Sequence, residues 1–394
     1  MPIQLNDCIE TVRTVFVSNF GHPTLFVQSP GRINLIGEHT DYNQGFVLPA
    51  AIDKAIYLAI SKREDKEVHL IAADLADSFS VALNNLSFSQ QTWSNYIIGV
   101  VDQLQKNGYK IGGFNAVVAG DVPLGAGLSS SAAVECATIF ALNELFELGL
   151  SKMEMVRLAQ KAENEFVGVK CGIMDQFASM FGKADAVVQL DCQSLGYHYM
   201  PFNQEGIKIV LLDTRVKHSL ASTEYNLRRE ECEAGVKIIQ EKYPAVASLR
   251  DATMQMVQEC LTNADQKIID RCSFVVAEIQ RLQDACKDLE AGDLKAFGKK
   301  MYETHEGLSK LYEVSCAELD FLADFAKTEA SVLGARMMGG GFGGCTINLV
   351  EAKAVESFVL AAGNAFQKAF GTEMKPYIVS IGNGTSLLDE NVIF

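Results

Sequence analysis

From Ser130 to Leu148 the chain is apolar on nearly every face, through Ala132, Ala133, Val134, Ala137, Ile139, Phe140, Ala141, Leu142 and Leu145. A helix with no polar side belongs in an interior, so the rest of the chain must supply layers around it. It comes as part of a unit. The strand-like GFNAVVAG precedes it, and the loop GDVPLGAGLSSSAA (Gly120–Ala133) joins the two. At 394 residues the chain exceeds what one core usually holds, about 250–300 residues, and two domains are expected.

Alternation and β-branched content predict strands at LFVQS, AIYLAISKR and EVHLIAA in the first part. NYIIGVVDQLQKNG has helical spacing and ends at Gly108, a C′ residue. After a strand at Ile207–Asp213 the character changes, and Thr223 to Lys327 is mostly amphipathic helix. A glycine cluster, a strand CTINLV, a helix from about Ala352 to Phe370 and a strand KPYIVSI close the chain. Mixed segments at both ends with helices between predict an α+β protein of two domains, 1–205 and 206–394.

Three stretches carry chemistry. In GDVPLGAGLSSSAA, glycines and the serines Ser129, Ser130 and Ser131 run into a helix N-terminus, where unpaired N–H groups and the dipole favour an anion. A single serine there would be an ordinary N-cap; three after a G-x-G point to a phosphate. No G-x-x-x-x-G-K-[ST] occurs. GGGFGG (Gly339–Gly344) spells G-x-G-x-x-G but leads into a strand, whereas the dinucleotide fingerprint opens a helix. It predicts a tight turn with backbone pressed against a ligand or another strand. In SPGRINLIGEHTDYNQG, Arg32, Asn34, Glu38, His39, Thr40, Asp41, Tyr42 and Asn43 crowd together. In AENEFVGVKCGIMDQFAS, Asp175 stands among apolar neighbours, as either a functional carboxylate or a helix N-cap.

PGRINLIGEHTDYNQGFVLP, PLGAGLSSSAA, CGIMDQ and GARMMGGGFGGC together resemble the galactokinases of the GHMP small-molecule kinase superfamily, in order and spacing from about Val27 to Ile381. The resemblance implies a ribosomal-S5-domain-2-like N-terminal domain, a ferredoxin-like C-terminal domain and an active site between them. It implies transfer of the ATP γ-phosphoryl group to the anomeric hydroxyl of galactose. Asp175 and Arg32 match the catalytic pair; Glu38, His39, Thr40, Asp41, Gly172 and Tyr225 match the sugar site. Gly125, Ala126, Gly127, Leu128, Ser129, Ser130 and Ser131 match the triphosphate loop, with Trp93 and Tyr96 flanking the base. Ser131 and Glu163 match the ligands of Mg²⁺, which accompanies ATP as co-substrate, and Glu165 is expected at the surface. One departure stands out: Met338 occupies a place where these kinases commonly carry threonine.

The formal charge of −15 and the lack of a basic run argue against nucleic acid as a partner. Ten cysteines without C-x-x-C or Cys/His zinc spacing predict reduced thiols in a cytoplasmic protein. No apolar run approaches the ~18–20 residues a membrane span needs. A monomer is expected. Two other functions fit parts of the pattern. A non-catalytic regulatory relative binding galactose and ATP would lack part of the serine loop, which here is complete with Arg32, Glu163 and Asp175. A kinase for N-acetylgalactosamine differs only in pocket volume near C2.

Overall fold

The computed structural model describes residues 7–202, 205–216 and 221–389. The chain runs α1 (Asp7–Phe20), β1 (Leu25–Asn34), β2 (Phe46–Val47), β3 (Pro49–Lys62), β4 (Glu67–Ala72), β5 (Asp77–Ala82), α2 (Thr92–Lys106), β6 (Phe114–Gly120) and α3 (Ser130–Phe146). It continues through α4 (Lys152–Lys161), a π-helical turn at Ala162–Val167, α5 (Met174–Phe181), β7 (Ala186–Asp191), β8 (Tyr197–Pro201) and β9 (Ile207–Asp213). Helices α6 (Ala221–Lys242), α7 (Met254–Cys260), α8 (Gln266–Glu290), α9 (Leu294–Lys310) and α10 (Ala317–Thr328) follow. The last elements are β10 (Val332–Met337), β11 (Cys345–Glu351), α11 (Val355–Phe370), β12 (Lys375–Val379) and β13 (Ser386–Leu387).

A six-stranded sheet has the order β13-β1-β3-β6-β4-β5 and is antiparallel except where β4 meets β6. On one face lies α3, packed on β1 and β3 and surrounded by α2, α4 and α5, the enclosure its composition requires. On the other face α1 covers β3 and β6 through Ile9, Val12 and Phe16. A second, antiparallel sheet has the order β10-β11-β9-β12 and is covered by α10 and α11 through Leu322, Phe358 and Phe366. A third, small sheet joins β2, β7 and β8.

One apolar core runs from the first sheet into the second: Ile33 and Leu35 share it with Ile209, Leu211, Leu282, Met338 and Ile347. The chain's end also returns, β13 pairing with β1 at the edge of the first sheet. Helix α2 stops where the sequence predicts, with Gly108 at φ +83° after its last turn. Strands β5 and β8 and helix α4 are not legible in the same way. The two strands are short, with mostly exposed or half-buried positions, and α4 shows itself mainly through the Ser151/Glu154 capping box. No helix among the described residues is long and apolar enough to cross a membrane.

Candidate active site

Strand β1 carries an irregularity between Pro30 and Arg32, where the pairing register with β3 shifts. Gly31 sits at that bulge, and a Cβ there would come within 2.7 Å of the Leu128 carbonyl. The missing side chain lets the Gly/Ser loop lie against the strand, with the Arg32 N–H donating to Leu128 O at 3.1 Å. Arg32, only 4% exposed, then reaches Asp175 at the start of α5 as a fork: Nε to Oδ1 at 2.7 Å and Nη2 to Oδ2 at 2.8 Å. Its third nitrogen, Nη1, donates to the Gly127 carbonyl at 2.6 Å. Such a bidentate pair fixes both the position and the direction of the carboxylate. Asp175 is half-buried, 24% exposed, so one side stays open to a pocket.

The serine before α3 behaves unlike an ordinary cap. Ser129 stands at the N-cap position with φ +56° and makes no side-chain cap. Its hydroxyl donates instead to Asp175 Oδ2. The left-handed backbone at a non-glycine residue is a local strain that points to function, and the first turn of α3 keeps its N–H groups uncapped by this side chain.

Next to Asp175 a pocket of about 110 Å³ opens, with Glu38, His39, Asp41, Tyr225 and Gly339 among its walls. Burial pushes the His39 ring down to about 3, so it is neutral at pH 7, and its Nδ1 lies 2.7 Å from the Tyr42 hydroxyl. Burial, and then the Asp175 charge, push the Asp41 carboxyl up to about 7. Gly172 lies so close to Asp41 that any Cβ would collide with that carboxylate. Glu38 Oε1 accepts from the Gly339 N–H at 2.9 Å and from Arg336 at 3.1 Å. Thr40 is the exception in this group. Its hydroxyl donates to the carbonyls of Gly37 and Phe46, at 2.9 and 2.6 Å, and it is wholly buried away from the pocket. Thr40 shapes the loop as an ordinary turn residue does.

Glu163 sits on the π-helical turn after α4, a local rewinding often found at functional sites. Gln176 Nε2 donates to its carboxylate at 2.7 Å, and the nearby Ser131 hydroxyl favours its charged form. Burial and the Asp175 charge push Glu163 up to about 7. The same Gln176 Nε2 donates to Glu135 at 2.9 Å, whose pKa burial and the Glu163 charge raise far above the ordinary range. A hydroxyl and a carboxylate crowded by a second buried carboxyl suit a divalent cation that keeps water and phosphate oxygens as its other ligands. No cluster of three His, Cys, Asp or Glu side chains able to cage a metal occurs among the described residues. Glu165 is exposed and accepts from Gln103, as expected of a surface residue.

On the far side of Ser130 and Ser131 a more apolar cavity of about 270 Å³ is lined by Leu75, Trp93, Tyr96, Val118 and Leu124. Trp93 Nε1 donates to Asp77 Oδ2 at 2.8 Å, which fixes the ring at the rim. The glycine cluster forms the turn between β10 and β11 and presses on backbone. A Cβ on Gly339 would stand 3.1 Å from the Gly127 carbonyl, and one on Gly344 3.3 Å from that of Ala126. Met338 is fully buried in the shared core, so the departure from threonine is absorbed by apolar packing. Gln176, Glu135 and Arg336 escaped sequence reasoning as members of the site, while Tyr42 enters it only within the crowded stretch and with no role. Two signals were available: Glu135 as a charge in an otherwise apolar helix, and Gln176 as the neighbour of Asp175.

Residues 95–183 match the family model of the GHMP kinases N terminal domain and 285–368 that of the GHMP kinases C terminal. Residues 14–62 match the galactokinase galactose-binding signature. The chain is 40% identical over 381 residues to a galactokinase of Roseiflexus sp. (strain RS-1), covering 96% of this chain and 97% of that one. It is 39% identical over 386 residues to a galactokinase of Clostridium perfringens, covering 96% and 100%. The solved structure of Lactococcus lactis galactokinase complexed with galactose superimposes with a TM-score of 0.92 at 36% identity, over 96% of this chain and 100% of that one.

Proposed function

The chain belongs to the galactokinase family of the GHMP kinases, and on that premise we propose the residues through which it works. It is an ATP-dependent sugar kinase: the γ-phosphoryl group of ATP passes to the anomeric hydroxyl of galactose, giving galactose 1-phosphate in the α configuration and ADP. Phosphoryl transfer needs little covalent help and much positioning and charge stabilisation. Asp175 accepts the proton of the anomeric hydroxyl as its oxygen bonds to the γ-phosphorus and the bond to the β,γ-bridging oxygen breaks. Arg32 holds that carboxylate aimed through its two-bond fork, and its positive charge favours charge on the group in transit. The observation that carries this reading is the Arg32–Asp175 fork, tied to Ser129 and the Gly127 carbonyl where the polar pocket meets the Gly/Ser loop.

The sugar lies in the pocket of Glu38, His39, Asp41 and Tyr225. Asp41, with Gly172 giving it room, reads the hydroxyls that set galactose apart from glucose. A buried site whose polar groups go unpaired with the wrong epimer discriminates strongly. Gly125 to Ser131 cradle the triphosphate at the start of α3, and Trp93 and Tyr96 flank the base in the apolar cavity. Ser131 and Glu163 hold the divalent cation, Mg²⁺, which when bound neutralises phosphate charge. Residues 1–205 and 206–394 serve as the two domains. The enzyme works as a monomer in the cytoplasm, where its ten cysteines stay reduced thiols.

The test is ADP release with Mg²⁺ and galactose, N-acetylgalactosamine or glucose, beside Asp175→Ala. Release with galactose alone, falling about 10²–10⁴-fold in the variant, is expected. Full turnover in the variant would remove Asp175 from the chemistry.

A further inference from the structure

Glu278 of α8 is fully buried, yet it is not among the residues that line the pocket beside Asp175. Both of its oxygens are used. Thr304 Oγ1 of α9 lies 3.0 and 2.9 Å from them, Arg281 pairs with Oε2, and Oε1 accepts from the main-chain N–H of Gly37 at 3.0 Å. Burying a carboxylate is expensive, and an apolar side chain would fill such a site at less cost. What the carboxylate gains here is a fixed direction for one peptide, Ile36–Gly37, one residue before Glu38. Gly37 has φ +90°, and a Cβ there would meet the Leu282 side chain of α8 and, at 2.8 Å, the Phe46 carbonyl. On the other side of Gly37, its carbonyl is held by Thr40 at 2.9 Å. The next residue, Glu38, is held by Arg336 and the Gly339 N–H. The loop that lines the sugar pocket is therefore set from outside, and α8 sets its first peptide.

We propose that Glu278 is a positioning residue for the galactose site, acting through the Gly37 amide on the aim of Glu38 and His39 and leaving the nucleotide half untouched. The inference rests on the reading that Glu38, His39 and Asp41 face the sugar. Glu278→Met removes the acceptor at similar volume, and Glu278→Gln keeps an oxygen for Gly37. Galactose affinity by calorimetry, separate KM values for galactose and ATP, and hydrogen exchange of the segment 33–43 are measured on both. In Glu278→Met, galactose Kd and KM rise about tenfold and exchange at Gly37 speeds up, as for a buried donor left unpaired, while KM for ATP stays within about twofold. Glu278→Gln stays within about threefold of the wild type for galactose. A folded Glu278→Met protein that binds galactose normally overturns the proposal, as does one that loses galactose and ATP affinity equally. If Glu278→Met does not fold, Thr304→Val takes its place, since it removes the hydroxyl that steadies Glu278 and leaves Gly37 alone. It should raise the galactose KM about threefold at unchanged KM for ATP; an unchanged galactose KM overturns the proposal. A wild-type protein that neither binds galactose nor releases ADP with it would overturn the sugar-site reading first, and this inference with it.

Discussion

Asp41 has a folded-state pKa of about 7 against an ordinary 3.8, because burial and then Asp175 disfavour its charge. The folded protein therefore holds this proton more tightly than the unfolded chain. Its contribution to stability falls as pH rises from about 4 to about 7 and stays low above that. Asp41→Asn removes the charge and keeps the shape. Without ligands, the variant should match the wild type near pH 4 and exceed it by a few kcal/mol at pH 8, read by denaturant unfolding at several pH values. A gap that does not widen with pH would show that Asp41 ionises normally in the fold. The same variant should lose galactose turnover, since stability and function make opposite demands on this residue. His39, neutral with its Nδ1 on Tyr42, adds no charge to that balance. At this scale the residue types were legible from sequence, while their states were not. Nothing in the order of residues says that Asp41 faces Asp175 or that Thr40 turns its hydroxyl to the backbone.

The turn between β10 and β11 shows what one element can and cannot reveal. Its five glycines announce tight backbone, and they are needed at particular places. Gly341 has φ +84°, and a Cβ there would run into the Val314 carbonyl. Gly341→Ala should destabilise the protein by about 1–3 kcal/mol and lower kcat/KM for galactose, because the turn also carries the Gly339 N–H that holds Glu38. Gly363→Ala is the control. It lies in α11, where the new methyl would make ordinary contact with Met374, and should be neutral or stabilising by about 0.5–1 kcal/mol. Thermal unfolding and steady-state kinetics on both variants check this, and equal behaviour would mean the turn is slack. The partner of the turn, the Ala126–Gly127 backbone, lies over two hundred residues away, beyond any local pattern. Elements with strong periodicity, such as α2 and α3, were readable. The π-helical turn at Glu163 was not, since it differs from an α-helix by a single inserted residue.

Across the whole molecule, the first and second sheets meet through one apolar core and through Arg336, which has no exposure to water. From β10 its guanidinium donates to the carbonyls of Leu35, at 2.8 Å, and of Asn34, and to Glu38 Oε1. Arg336→Met would leave the buried Glu38 with only the Gly339 N–H and no counter-charge, and would take a donor from the Asn34 and Leu35 carbonyls. A loss of about 3–5 kcal/mol in denaturant unfolding is expected, together with weaker galactose binding. A loss below about 1 kcal/mol would show that apolar packing alone holds the sheets together. By itself the sequence determined the buried helix, most of the strands, the phosphate-type loop, the tight glycine turn and the chemical groups available to the site. These follow from interactions within a few residues along the chain, and short-range geometry leaves a periodic mark. The tertiary structure alone decided which groups meet: Arg336 with Glu38 across 298 residues, Glu278 with Gly37 across 241, and Arg32 with Asp175 across 143. Such pairs are selected by how layers pack around a shared core, and packing of distant segments leaves no period in the order of residues.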